Sequence, residues 1–298
     1  RPQGGLNDML CQIEKCCRYA EKTHRIVIVD THYKHSENFH EELTHYFQSR
    51  QNRLFLSLKD APVDLEQLDV YPECLQGKLN SYQTSEKIAF QPFKERDSGK
   101  AIQFDFTKNY PHQLLVHHQG GGGSVSSSAL LRLKLTDTVK LALLKRLKTI
   151  ERSYCGIHIR HTDYRSDYAS AFELINKKPP ARLFVATDSQ LVLDDIMHQL
   201  PDTKVFSFSK TLSQDGTPIH MAKVLGKQVK PNQNMDALLD LLMLSMATQL
   251  IICKISGGTV AYKLPSYSGF SMLARQLWEN KIILKNLLDP FQIKMGLD

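Results

Sequence analysis

The sequence predicts an α/β protein of two domains facing across a cleft, and three observations carry that expectation. Strand-like and helix-like segments alternate in both halves of the chain. Several apolar runs, among them Arg25-Ile-Val-Ile-Val-Asp30 and Arg182-Leu-Phe-Val-Ala-Thr-Asp188, are continuous, as in strands buried on both faces. A length of 298 residues exceeds the usual single domain and can bury a large core.

In the first half, Gly4-Gly5 forms a turn into a helix, with Asn7 or Asp8 as N-cap and Met9, Ile13, Cys16, Cys17 and Ala20 at helical spacing. The strand from Arg25 to Asp30 follows. Glycine turn, helix and strand make the tail of a β-α-β unit whose first strand is largely missing from the start. Residues 37 to 50 read as a short amphipathic helix, and Arg53 to Leu58 as a strand; from 59 to 108 the segments are short and turns dominate. Gln113 to His118 is a further strand. It enters Gly120-Gly-Gly-Gly-Ser-Val-Ser-Ser-Ser128, which is either a flexible linker or a compact loop. A basic helix from Thr136 to Thr149 ends the first domain, so the expected domains are 1–150 and 151–298.

The second half is more regular. A strand from Tyr154 runs into a polar cluster of His158, Arg160, His161, Thr162, Asp163, Arg165 and Asp167. Next come a short helix over 168–177, the strand from Arg182 and a helix from Gln190 to Leu200. A strand from Lys204 to Phe208 leads into a polar loop, roughly 210–233, that carries His220. An apolar helix from Met235 to Thr248, a strand from Leu250 to Cys253 and a helix from Met272 to Glu279 close the order.

Composition narrows the function classes. Hydrophobic residues make up 42% and charged residues 23%, ordinary for a globular protein. The balance of 38 basic against 31 acidic residues gives +7, compatible with nucleic acid, anionic lipid or a phosphorylated substrate. No apolar run approaches the roughly 20 residues of a membrane-spanning helix. The six cysteines, at 11, 16, 17, 74, 155 and 253, show no zinc spacing and fit a reducing compartment better than a disulfide framework. The chain starts at Arg1 with no Met, which leaves room for an upstream first strand, anchor or signal.

The chemistry concentrates at strand ends and helix starts. On a strand, alternate side chains share a face, so His158 and Arg160 point the same way. A guanidinium at the carboxyl end of a sheet strand suits a phosphate, which its planar fork binds with two charge-assisted hydrogen bonds. Asp188 ends another strand. Asp240, inside an apolar helix, needs a donor, either a bound base such as guanine or a nearby arginine. Ser268 and Ser271 stand where a helix begins, placed either to hold a phosphate or to cap the helix. No Asp-x-Asp pair marks a metal site; His158 and His161 are the alternative metal ligands.

These residues form a resemblance. His158-Ile-Arg-His-Thr-Asp163 resembles the His-x-Arg-Arg-Thr-Asp motif of the α1,6-fucosyltransferases and the rhizobial NodZ group. Phe184-Val-Ala-Thr-Asp188 is similar to their Tyr-Leu-Ala-Thr-Asp strand, and Leu239-Asp-Leu-Leu-Met-Leu-Ser245 to their Leu-Asp-x-x-x-Leu-Ser helix. Gly4-Gly5-Leu-Asn-Asp8 looks like the glycine loop opening the N-terminal domain of that superfamily, which includes the protein O-fucosyltransferases. The resemblance implies a GT-B fold of two Rossmann-like domains, acceptor side first and donor side second, and an inverting, metal-independent transfer from a nucleotide sugar, most often GDP-fucose. It implies no cofactor beyond that donor. Arg160 would hold the β-phosphate, His158 and Asp240 the nucleoside, and Ser271, with Ser268, the diphosphate; Gly4, Gly5, Asn7 and Asp188 complete the expected donor-binding set. Asp167 and Asp8 are the carboxylates expected to serve catalysis. His161 stands where the family has a second arginine, Ser256-Gly-Gly258 offers a competing phosphate turn, and the family's base, a Glu just after the motif, is not matched in register.

The expected acceptor is a glycan, lipid-linked or protein-linked, with peripheral membrane contact compatible and nucleic acid not a partner. The expected location is the cytoplasm, with a peripheral place at the inner membrane compatible, or the Golgi lumen if an upstream anchor has been removed. Two alternatives stand beside fucosyl transfer: an inverting glycosyltransferase with another nucleotide sugar, and a non-catalytic nucleotide- or glycan-binding protein.

Overall fold

The computed structural model describes all residues except 34–38, 40, 86–90, 152, 211, 214–228, 259–265 and 290–298, and the side chains of 229–231. It divides into two compact units, Arg1–Thr136 and Asp137–Asp298.

The first unit opens with helix α1 (Leu6–Thr23), whose N-cap is Gly5 rather than Asn7 or Asp8. Its strands are short: β1 (Val27–Ile28), β2 (Phe47–Ser49), β3 (Leu54–Phe55), β4 (Val70–Tyr71) and β5 (Leu114–Leu115). A six-residue helix α2 (Ser126–Leu131) leads to β6 (Leu133–Leu135). Strand β1 pairs with β3 and β4 with β5, both parallel, while β2 and β6 pair antiparallel. The amphipathic helix expected over 37–50 is not formed in its described part: Leu43–His45 is a single 3-10 turn and Phe47–Ser49 is β2. Partner β6 supplies the reason, since pairing Phe47 with Leu135 buries both. Tyr33, Val70, Leu75, Leu79, Tyr82, Ile102 and Val116 pack as one core of this unit.

The Gly/Ser run is a compact loop and not a linker. Gln12 donates its Nε2 to the carbonyl of Gly120 at 3.1 Å and also to that of Gly121. Ser126 to Ser128 already belong to α2, and the Ser126 hydroxyl donates to Asn7 Oδ1 at 2.7 Å. Gly122 lies so close to α1 that a Cβ there would stand 2.5 Å from Asp8 Oδ1.

The second unit begins with α3 (Asp137–Ile150), the helix expected to end the first domain. It belongs here because its buried Arg146 pairs with Asp240 and Asp236, which moves the division from 150/151 to 136/137. Then come β7 (Cys155–Ile159), β8 (Tyr164–Asp167), α4 (Ala169–Lys177), β9 (Arg182–Thr187), α5 (Gln190–Gln199) and β10 (Lys204–Phe206). Helix α6 (Val229–Met246), β11 (Gln249–Ile252), β12 (Lys254–Gly258), α7 (Gly269–Glu279) and α8 (Lys281–Leu288) complete it. The main sheet has the order β10-β9-β7-β11, all parallel, with Ile157 beside Val185 and Ile251.

Strand parity divides the two faces. Cys155, Ile157 and Ile159 pack with Phe172 and Ile175 of α4 and with Val192 and Ile196 of α5. Gly156, on the other face, lets α6 approach: its Cβ position would lie 3.0 Å from the methyl of Ala247. His158 continues that second face and meets α7 at Ser271 and Phe270. The long segment after β11 is explained in part by β12, which pairs antiparallel with β8. Ser256-Gly-Gly258 is therefore strand and not a phosphate turn, with Ser256 Oγ donating to the Arg165 carbonyl. His220 lies outside the described residues.

Candidate functional site

The site of the second unit is built where β7 ends and α7 begins. Ser268 is the N-cap of α7 and its side chain accepts from the Ser271 N–H at 3.1 Å, satisfying a first-turn donor. The two hydroxyl oxygens of Ser268 and Ser271 are 3.0 Å apart, and Ser271 Oγ lies 2.6 Å from His158 Nδ1. A continuous polar line thus joins the helix start to the strand. Phe270 tilts against the imidazole, ring centroids 4.8 Å apart. Burial, with the nearby Arg160 charge second, pulls the His158 pKa down to about 3, so the ring is neutral near pH 7. The first turn of α7 carries no acidic residue, which leaves its positive end open to an anion.

Two residues past His158 on the same face, Arg160 is gripped by its own turn. Its Nε and Nη2 donate to the two oxygens of Asp163, both at 2.7 Å, and its guanidinium lies 5.2 Å from the Tyr164 ring centre. The pair uses one edge of the fork; among the described residues Nη1 makes no hydrogen bond. Ser166 closes the turn by donating N–H and hydroxyl to the Arg160 carbonyl at 3.0 and 2.8 Å. Asp188, at the end of β9, accepts the His161 N–H at 2.7 Å and the Thr162 hydroxyl at 2.6 Å. In the structure it fastens the turn that holds Arg160.

Other expected residues have different partners. Asp240 accepts from Arg146 Nη1 and from the Ser209 hydroxyl, both at 2.7 Å, so the chain supplies the donor that a bound base was expected to supply. Burial outweighs Arg146 and raises its pKa to about 6. Asp167 accepts the N–H and hydroxyl of Ser170 at 3.2 and 2.7 Å, and these bonds lower its pKa. A carboxylate so held is tied to the first turn of α4 and is a weak base.

In the first unit, Gly4, Gly5, Asn7 and Asp8 do cluster at the start of α1. Asp8 itself stands in the first helical turn. Its carboxylate lies against Gly4 and Gly122, whose Cβ positions would fall 2.8 and 2.5 Å from its oxygens. That negative charge already occupies the positive helix end and opposes the expected docking of a phosphate there.

Sequence reasoning missed Arg146 and the clamping role of Asp163. The first was detectable: Val139, Leu143, Arg146 and Ile150 are all buried and fall on one helical stripe, so the arginine interrupts an apolar face. The second followed from spacing, since Arg160 and Asp163 flank a turn, but no pattern distinguished it from a ligand-facing pair.

No family model and no curated protein sequence matches this chain. Among solved structures, it is similar to the α-1,6-fucosyltransferase NodZ co-crystallised with GDP, at 15% identity and a TM-score of 0.54, covering 93% of this chain and 90% of that one. Fucosyltransferase NodZ from Bradyrhizobium aligns over the same shares with a TM-score of 0.55 and 15% identity. NodZ soaked with GDP-fucose gives 0.53, also at 15% identity, over 93% and 90%. The chain shares the GT-B-type α/β fold of that enzyme.

Proposed function

We propose that the second unit binds the diphosphate of a nucleotide sugar and that the protein is a fucosyltransferase using GDP-fucose, by inverting, metal-independent transfer to an acceptor hydroxyl. The observation that carries this reading is the polar line Ser268–Ser271–His158, which sets the acid-free start of α7 beside the strand end bearing Arg160. Both features favour the same thing, an oxyanion. The NodZ structures, which share the fold, contain GDP or were soaked with GDP-fucose.

The chemistry asks little else of the protein. The transition state is oxocarbenium-like, and negative charge grows on the departing diphosphate. Arg160, pre-oriented by Asp163, and the helix start stabilise that charge without reorganising. Neutral His158 keeps Ser271 in place. A carboxylate takes the acceptor proton; Asp167, with its lowered pKa, suits this poorly.

The test is a thermal-shift panel followed by turnover. GDP should stabilise the protein far more than UDP or CDP does, because a site built to hydrogen-bond one base rejects analogues that leave buried groups unpaired. GDP-fucose should then be consumed in the presence of EDTA and an acceptor glycan, and Asp167→Asn should slow it little. Equal shifts with UDP would sink the guanine assignment. Saturable GDP binding with no turnover would leave a binding protein.

A further inference from the structure

The first unit holds a small pocket of its own, where two neighbouring parallel strands end. Val29 extends the pairing of β1 with β3 by donating its N–H to the Phe55 carbonyl at 2.9 Å. Just past that bond, Val29, Asp30, Leu56 and Ser57 line a cavity of about 280 Å³. The crevice outside the carboxyl ends of strands is where open α/β sheets take their ligands. Val29 and Leu56 are buried and give the pocket apolar lining. His32 and Lys59, whose side chains are 66% and 80% exposed, stand at its mouth.

The charges around this pocket are matched in pairs, but its hydrogen bonds are not. Asp30 accepts from Arg1 Nε at 2.7 Å through Oδ2. Glu42 pairs with Lys59 at 2.8 Å and is hydrogen-bonded by the Thr44 and Ser57 hydroxyls as well. Thr31 is engaged too, donating its hydroxyl to the Glu41 carbonyl at 2.6 Å. Asp30 Oδ1 is the exception: among the described residues nothing donates to it, although that side chain is only 8% exposed. A carboxylate has lone pairs for about four donors, and burying it short of them is costly.

We propose that this pocket binds one ring of a neutral sugar, with Asp30 Oδ1 accepting from its hydroxyls and Val29 and Leu56 meeting its C–H face. A sugar ring carries both kinds of surface that the pocket offers, O–H donors at the rim and apolar C–H groups between them. It brings no charge, and the paired lining has none to spare for an anion or a cation. The volume is at the small end of the range for ligand pockets, which fits a single ring rather than a chain. Further sugar units would leave through the mouth between His32 and Lys59. The site lies wholly within the first unit and draws nothing from the donor reading of the second.

The test titrates the full chain, with no nucleotide present, with glucose, galactose, mannose and N-acetylglucosamine, and follows the backbone amide shifts of Val29 to His32 and Leu56 to Lys59. Glucuronate and protonated glucosamine are the charged comparisons. At least one neutral sugar should shift these amides saturably and bind more tightly than either charged one. Asp30→Asn should weaken that sugar by about tenfold or more, as loss of a hydrogen bond to a charged group does. Asn80→Trp, at the exposed rim of the pocket, should block binding with the melting temperature unchanged, and it decides the matter if Asp30→Asn does not fold. No saturable shift with any neutral sugar overturns the proposal, as does tighter binding of a charged one. So does a folded Asp30→Asn or Asn80→Trp protein that binds as well as wild type.

Discussion

Arg160 is oriented by Asp163 before any ligand arrives, and this separates two effects that a single substitution would mix. Arg160→Ala should cut GDP-fucose turnover by about 10²–10³, corresponding to roughly 2.7–4 kcal/mol of lost charge stabilisation. Arg160→Lys should recover part of it, since an ammonium keeps the charge without the planar fork. Asp163→Asn should resemble Arg160→Lys, because the charge remains while its bidentate anchor weakens. Exposed Arg165 is the control and should change turnover little. Rates per folded molecule, with melting temperatures for all four proteins, check the set; an active, folded Arg160→Ala protein refutes the role. His158 makes a second prediction. Unfolded, it protonates below about 6.5, whereas in the fold burial holds its pKa to about 3. The unfolded chain therefore binds the extra proton throughout that window, and stability falls as pH drops from 6.5 toward 3. His117 is likewise lowered to about 3, so His158→Gln should flatten the slope of stability against pH only in part. Denaturant midpoints across pH 4 to 7, read on wild type and variant, test it.

Helix α3 is fixed to α6 by the buried Arg146, whose guanidinium serves Asp240 and Asp236 and lies 5.3 Å from the Phe208 ring centre. Removing one member of such a buried pair strands the other. Arg146→Ala should cost about 3–5 kcal/mol of stability, whereas combining Arg146→Met with Asp240→Leu should lose less; urea unfolding at neutral pH measures both. The loss in Arg146→Ala should shrink at acid pH, where a protonated Asp240 no longer leaves a buried charge. At this scale much of the second unit was legible. Continuous apolar runs marked β7, β9 and β11, and the periods of α3 and α5 placed those helices close to their observed bounds, whereas α6 begins at Val229, six residues before the expected Met235, and α7 at Gly269, three before Met272. The stretch from Lys59 to Lys108 was not legible, for a physical reason. Its described elements are strands and 3-10 turns of two or three residues, too short to show either periodicity. Asp240 meets an arginine, one of the two donors expected for it, but which arginine was not legible, and neither were the donors to Asp188, because a sequence shows that a carboxylate needs donors but not which residues fold back to provide them.

For the whole chain, the division at Thr136/Asp137 rests on which side of it the partners of Arg146 lie. A fragment starting at Asp137 should unfold cooperatively, while one starting at Glu151 should not, since it leaves Asp236 and Asp240 without their arginine. Circular dichroism melts of the two fragments decide between the boundaries. The net charge of +7 bears on solubility and on encounter with anionic ligands, the proposed donor among them, not on the fold. The two α/β units were legible in the alternation of strand and helix, but the boundary was not, because α3 reads equally well as the last helix of one unit or the first of the next.

The glycine run illustrates how little repetition says about redundancy. Gly122 is held to a hydrogen side chain by Asp8, whereas a Cβ on its neighbour Gly123 would meet only Cys11 Sγ, at an ordinary 3.7 Å. Adjacent identical letters thus carry unequal information. A filter that discards the run as low complexity would erase a position as strictly specified as one in a core. A saturation library across it should reject side chains at Gly122, and at Gly121 where φ is +101°, while accepting them at Gly123, a signature that no linker produces.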